Sequence, residues 1–488
     1  MTIRTWSGFR WQMGINMQIN RLVVSVLSII TSITASSIGM ATDYHIGPGQ
    51  EFESPFEAPW HRLLPGDTVF IHWREKSYRN KWVLVGHGTA AQPITVKGVP
   101  GPNGELPLID GESATTPPGL DFWSEQRAVI KIGGANVPDV EFPTHIVVEN
   151  LDIRAAHPYH MYLGSEGLKA YSEAASAIYV ESGSNITIRN CIMRDCANGF
   201  FSAYQSRDVL VEGCYIHTNG MPGTYYQHNS YTAGRGVTYQ FNRFGPLRED
   251  CLGNALKDRS AGLIVRYNWI EGGNRQLDLV EGDDSMEIVD DPRYGQTFVY
   301  CNVLIEHEGD GNNQMLHYGG DNGNEPDYRK GVLYFLNNTV ISHRTDRTVL
   351  ARLSTNEETA VVTGNVFYTS APGSHLAILD ESGLVRMTGN WIRKGWKSSH
   401  EDGFEGRVIA SRNVEGESPR FVDFNGQDFR PVVDSPCIDA GAPLIIDEEH
   451  EITLDWEFAM PRGARARKLI GAIDLGAFEA RATTERIQ

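Results

Sequence analysis

Short apolar runs recur along this chain, each ending at a corner marked by asparagine or glycine: IVVEN at Asn150, ITIRN at Asn190, VLVEG at Gly213, VTYQFN at Asn242, IVRYN at Asn268, FVYCN at Asn302, YFLNN at Asn338, VVTGN at Asn365 and VRMTGN at Asn390. Successive corners are 40, 23, 29, 26, 34, 36, 27 and 25 residues apart, so a unit near 23 residues is stretched by insertions of variable length. Within the runs apolar and polar residues alternate, as at Ile186, Ile188 and, past the corner, Ile192, or at Val209, Val211 and Ile216. That period predicts short strands with one buried face and does not fit helical spacing. Such strands bury little alone, but stacking coils about 4.8 Å apart pairs their backbones and aligns the inward side chains in continuous rows. The expected architecture is all-β, a single-stranded parallel β-helix. An Asn at the corner tolerates left-handed backbone and can bond its amide to the Asn above and below. A β-sandwich would instead show regular hairpin signals. The insertions are where function is expected.

The ladder runs unbroken over most of the 488 residues, which argues for one domain where length alone would allow two or three. Fifty glycines and 21% charged residues describe a loop-rich β protein. From Leu22 to Met40 the chain is apolar or small, follows Arg21 and ends in the small-x-small pattern Gly39-Met40-Ala41. Residues 1–41 are expected to be a signal peptide, with translation starting at Met1 or at Met17, and the mature protein to be secreted or periplasmic with no membrane span. Losing Arg4, Arg10 and Arg21 and no acid would move the formal net charge from −18 to −21. So acidic a surface argues against nucleic acid, and a polyanionic ligand would need a local basic cleft or bridging cations. The six cysteines lack CxxC spacing, which gives no support for zinc. Cys191 and Cys214 follow successive corners and should stack, as buried thiols or as a disulfide.

The ends differ from the middle. Residues 43–111 contain LLPGDTVFIHWREKSY, GTAAQPITVKGVPG and PLIDG, short strands with Pro-Gly and Asp-Gly turns that suit the first coils and an N-terminal cap. Near the other end SPCIDAG (Ser435 to Gly441) and IDLGAFE (Ile473 to Glu479) read as the last coil and its closing strand, which sets the β-helix at 42–441 and a closing segment at 442–488. PGDTV, PITVKG, the asparagine ladder, SPCIDAG and IDLGAFE together resemble the secreted bacterial right-handed parallel β-helix proteins, the superfamily of pectate lyases, chondroitinase B and alginate lyases. The resemblance implies right-handed coiling and a carbohydrate partner; this fold also hosts hydrolases, epimerases and binding proteins.

Residues that carry chemistry cluster from His228 onward, in HNSYTAGRG and then EDCLGNALKDRSAGLIVRYNWIEGGNRQLDLVEGDD. Alternation puts Leu256 and Asp258 on one side of a strand and Lys257 and Arg259 on the other, with the direction open. An outward Lys257 beside Arg259 would form a basic pair suited to a uronate. Cations neutralise the substrate carboxylate, and a lysine depressed by a cationic neighbour can abstract the adjacent proton. ALKDRSAGLIVRYNWIEGG is similar to the chondroitinase B and alginate lyase family, whose lysine base sits in a KS-xx-N segment; the resemblance gives Lys257 that role. Asp258 replaces the family serine, and LDLVEG (Leu277 to Gly282) stands where the family has its RHG arginine acid. Arg259, His228 or Tyr231 could take the acid role. The family's calcium ligands, acids shortly before the lysine, correspond to Glu249 and Asp250, so Ca2+ is the one cofactor implied.

Asn229, Tyr231, Arg235, Asp278, His317 and Tyr318 are candidate substrate contacts. HYGGDNGNEPDY (His317 to Tyr328) is a polar loop with aromatics that could line a sugar cleft or remain an ordinary surface loop. Lys257 and Arg259 could equally pair with Asp258 or Asp250 on an exposed edge, and His228 with Asn229 could only hold a turn. Three function classes follow: a polysaccharide lyase with Lys257 as base; a glycoside hydrolase using Asp278 with Asp283 or Asp284 from the acidic run Asp278 to Asp291; and a glycan-binding envelope protein without turnover.

Overall fold

The computed structural model describes residues 41–373, 375–445 and 451–480. The predicted signal peptide, Ala41 apart, lies outside the described residues, and among those described no helix is long and apolar enough to cross a membrane.

Each coil of the parallel β-helix carries strands on three faces. On the first face Ser230–Thr232, Leu256–Asp258, Leu277–Leu279, Gln314–Tyr318 and Thr348–Leu353 pair in succession, all parallel. The second face repeats through Arg235–Gln240, Ile264–Arg266, Gln296–Tyr300 and Gly331–Leu336, the third through Trp269–Glu271, Val303–Glu306 and Thr339–Ser342. The register stacks Ile178, Phe200, Ser230, Leu256, Leu277, Leu316, Ala351 and Leu379 in one inward row, buried throughout. Asp43–Ile46, Thr68–His72 and Ile94–Val99 begin the second face, so residues 43–111 do form the first coils.

The corner asparagines do two jobs, in different places. Asn150, Asn190 and Gly213 take the left-handed position themselves (φ 60°, 52° and 61°). From Asn242 onward the residue before each Asn does so, as at Phe241, Tyr267 and Cys301 (φ 57°, 56° and 52°). The Asn, one place later, sends its side chain inside. There Asn242 Nδ2 donates to Asn268 Oδ1, Asn268 to Asn302 and Asn302 to Asn338, each at 3.0 Å, and the column continues through Asn365 and Asn390 to Asn413. Cys191 and Cys214 hold the equivalent place in earlier coils as buried free thiols whose Sγ atoms face the carbonyls of Val148 and Ile188. Asn302 Oδ1 also accepts Asn268 N–H at 2.9 Å, so Asn302→Ala strands that buried backbone donor, while Asn268 Nδ2 keeps Tyr239 O and Arg266 O. Urea unfolding should show a loss of about 2 kcal/mol or more.

In its described residues the C-terminal segment lies along the flank of the coils, where the sequence had suggested a strand closing their end. Leu475 N–H donates to Cys437 O at 2.9 Å, Gly476 N–H to Gly364 O at 2.7 Å and Ala477 N–H to Thr339 Oγ1 at 3.0 Å, while Arg462 reaches Cys191 O. The reason is apolar: Trp269, Val303, Ile305 and Ile341 of the third face point outward and are covered by Phe429, Phe458 and Phe478.

Candidate active site

Opposite the inward row, the same first-face strands present Tyr179, Phe201, Tyr231, Lys257, Asp278, His317 and Arg352 as one outward row. This settles the direction left open by the sequence: Lys257 faces out while Leu256 and Asp258 are buried inside. A cleft of about 370 Å³ lies over Tyr231, Lys257 and Asp278, walled by loops that carry Tyr225, Asn254, Arg275 and Asp321.

Charges in the cleft are densely paired. Lys257 Nζ donates to Asp278 Oδ2 at 2.8 Å and to Asp321 Oδ2 at 3.0 Å. Arg259 Nε donates to Tyr231 Oη at 2.8 Å, and its Nη atoms meet Glu281 Oε1 at 3.0 Å, Asp283 Oδ1 at 3.1 Å and Asp321 Oδ1 at 3.4 Å. Asp278 Oδ1 takes His317 Nδ1–H at 2.9 Å, and His317 Nε2 lies 2.8 Å from Ser354 Oγ. Asn254 Nδ2 completes the cage of Asp278 at 2.8 Å, and Asn254 N–H donates to His228 Nδ1 at 2.9 Å.

These contacts tune the groups. Burial opposes charge on Lys257, but Asp278 and Asp321 together raise its pKa above the ordinary lysine value. Burial would also lift Asp278, yet Lys257 and His317 hold it well below the usual carboxylate range. Burial, helped by Lys257, pushes His228 down to about 3, so its ring is neutral. Asp321 is drawn down by Lys257 against its burial, whereas burial, reinforced by Asp284 and opposed by Arg259, raises Asp283. Burial raises the Tyr231 phenol against the pull of Arg259 and Lys257.

Of the residues singled out from sequence, Lys257, Arg259, His228, Tyr231 and Asp278 line the cleft, and His317 lies under its floor. Five others point elsewhere. Asn229 is fully buried, its amide bonded to Gly245 O and Asn219. Tyr318, next to outward His317, faces the interior. Arg235 starts the second face and pairs with Glu287 at 2.8 Å. Glu249 and Asp250 are exposed outside the cleft, and the only gathering of three or more metal-ligating side chains among the described residues is elsewhere, at His157, His160 and Asp195.

The structure adds groups that sequence reasoning missed. Asp321 comes from the HYGGDNGNEPDY loop, whose glycines were its visible signal: a Cβ on Gly320 would stand 2.1 Å from the Tyr328 ring. Glu281 pins this loop by accepting the N–H groups of Asp321 and Asn322 at 2.9 and 3.1 Å. Arg275 lines the cleft with one polar partner, Gln314 Oε1 at 2.8 Å; its Nε is buried without a partner, and no carboxylate among the described residues forms an ion pair with it. Tyr225 and Tyr226 stand exposed at the rim.

Residues 143–291 match a family model described as "Right handed beta helix region", in agreement with a right-handed coil. Solved structures similar to this chain include an alginate lyase from Paenibacillus sp. str. FPU-7 (11% identity, TM-score 0.37, 73% of this chain and 94% of that one). Also similar are a lacto-N-biosidase from Eubacterium ramulus (14%, 0.39, 77% and 67%) and a tailspike protein of E. coli bacteriophage HK620 (9%, 0.42, 77% and 64%). No curated protein matches the chain in sequence.

Proposed function

We propose that the cleft binds an anionic glycan and cleaves it by β-elimination at a uronate. The observation that carries this reading is Arg275, a guanidinium lining the cleft without a carboxylate partner among the described residues. A substrate carboxylate set against Arg275 would be neutralised where charge develops, which lowers the barrier to removing the proton on the adjacent carbon. Lys257 is the base. It is charged at rest, but one of its two anions, Asp321, stands on a loop with its side chain 37% exposed. A sugar that displaces Asp321 removes one of the two anions that hold the proton on Lys257; Asp278 stays paired with it, and the charges of Arg259 and Arg275 then weigh more toward the neutral form. Lys257 then takes the proton, the carbon–carbon double bond forms and the glycosidic C–O bond breaks. Tyr231, whose hydroxyl accepts from Arg259 and keeps its own proton to give, donates it to the leaving oxygen. Tyr225 and Tyr226 offer flat faces to sugar rings, and the expected secreted or periplasmic location suits a polymeric substrate.

A second reading, hydrolysis, is favoured by one observation: Asp283 is raised, Asp321 is lowered, and both touch Arg259. Asp278, caged by Lys257, His317 and Asn254, does not suit that pair. Incubation with alginate, pectate, glycosaminoglycans and neutral glycans separates the two. Elimination gives ultraviolet absorbance from a conjugated uronate, on acidic polymers only, and Arg275→Gln should lower kcat/KM by about tenfold or more, the worth of a charged hydrogen bond. Reducing ends without that absorbance would replace elimination by hydrolysis.

A further inference from the structure

Two coils before the cleft, on the same ledge of loops, two histidines and a carboxylate converge. His157 and His160 come from the loop after Asp152–Arg154, and Asp195 from the corner after Ile192–Arg194 in the next coil. His157 is buried, its Nε2 is 3.5 Å from Asp195 Oδ1, and the two imidazole centroids are 4.2 Å apart with no hydrogen bond between the rings. One ligand atom from each of the three lies within 4.8 Å of the others. Glu112 Oε1 stands 3.9 Å from His160 Nδ1.

We propose that His157, His160 and Asp195 form a binding site for a divalent transition-metal ion, with Glu112 or water as fourth ligand. Two imidazoles and a carboxylate suit zinc, cobalt or nickel; calcium and magnesium prefer all-oxygen sets. Ligands at about 2.0–2.1 Å from a tetrahedral ion sit about 3.3 Å from one another, so His157 and Asp195, at 3.5 Å, are already spaced for it, and His160 must close the rest of a spread that reaches 4.8 Å. The backbone fixes two of them: Asp195 stands at a left-handed corner (φ 54°) directly bonded through its carbonyl to Ala155 N–H at 3.0 Å, two residues before His157. Two contacts oppose the ion. Arg248 Nη2 donates to Asp195 Oδ1 at 2.8 Å, and Tyr159 N–H makes a long 3.4 Å contact to His157 Nδ1, which ligation through Nε2 would give up. Arg154, paired with Asp110, adds nearby positive charge. Binding would tie the His157 loop to the next coil.

The test is titration of the chelator-stripped protein with Co2+, followed by visible absorption, and then competition with Zn2+. The proposal expects one equivalent of Co2+ with visible d–d bands that Zn2+ abolishes. His160→Ala, at the more exposed histidine, should weaken binding at least about tenfold while circular dichroism stays that of the parent. His157→Ala should do the same if it folds. Arg248→Gln should tighten binding, because it removes the cation competing for Asp195; a merely structural cluster predicts no such gain. No stoichiometric binding, equal affinity in His160→Ala, or unchanged affinity in Arg248→Gln would each overturn the site as assigned.

Discussion

Arg329→Met is expected to lower the free energy of unfolding by about 3–5 kcal/mol, measured by urea denaturation. Arg329 and Asp258 are both fully buried, with Nη2 3.0 Å from Oδ1. The guanidinium also donates to Asp258 O at 3.2 Å and to Val280 O at 3.1 Å, so it bridges the interiors of neighbouring coils. Asp258 accepts further bonds from Thr232 Oγ1 and from Ser260 N–H and Oγ–H, but those partners are neutral. Removing the cation leaves an ionised carboxylate inside a coil, and that uncompensated charge makes up most of the expected loss. Asp258→Asn in the Arg329→Met background should therefore recover part of it. Arg329 also closes the base of the loop that carries Asp321, its N–H bonding Gly319 O at 2.9 Å. Any glycan turnover should fall along with stability. A loss below about 1 kcal/mol would mean that the pair is hydrated, contrary to its burial.

The coil was legible because period-two alternation is enforced by the inward row: a one-residue slip would turn Leu256, Leu277 and Leu316 out and Lys257, Asp278 and His317 in. The one-place offset of the ladder was not. Asn190 and Asn242 look alike as letters, yet one supplies a left-handed corner and the other a buried amide, because the amide column holds Phe241 and Tyr267 at positive φ that their own side chains do not favour. The flanking course of the C-terminal segment did leave a trace. WIE, VLIE and TVIS carry apolar residues on both sides of the strand, which means both sides are covered.

For the site, the sequence pointed to the stretch around His228, Lys257 and Asp278, and the register of the first-face strands puts Tyr231, Lys257, Asp278 and His317 in one row. The same alternation excludes Tyr318, a single residue from His317. Which charges are paired lay beyond the pattern. It depends on where the loops at 272–276 and 319–329 put Arg275 and Asp321, and loop conformation is set by contacts such as Glu281 with Asp321 N–H and Asn322 N–H that no periodicity encodes. The expected depression of Lys257 by Arg259 was overtaken for that reason: Asp278 and Asp321, at 2.8 and 3.0 Å from its Nζ, outweigh Arg259 and raise it.

Lys257→Arg is expected to abolish formation of unsaturated product, by about 10³-fold in kcat, while leaving the fold and glycan binding near those of the parent. Arginine keeps a positive charge for Asp278 and Asp321, so the carboxylates remain compensated; what it cannot do is accept a proton at working pH. Lys257→Ala would lose turnover too, but it strands buried Asp278 and confounds base loss with destabilisation. The pH dependence follows from the same pairing. With the folded pKa raised, the protonated and inactive form of Lys257 dominates at neutral pH, so kcat/KM for elimination should climb as pH rises toward that pKa. Hydrolysis through Asp283 would behave in the opposite way, losing rate once pH passes the raised pKa of that carboxyl and its proton is gone. Measured on the same acidic polymer, a Lys257→Arg protein that keeps more than about a tenth of parental turnover would exclude Lys257 as the base.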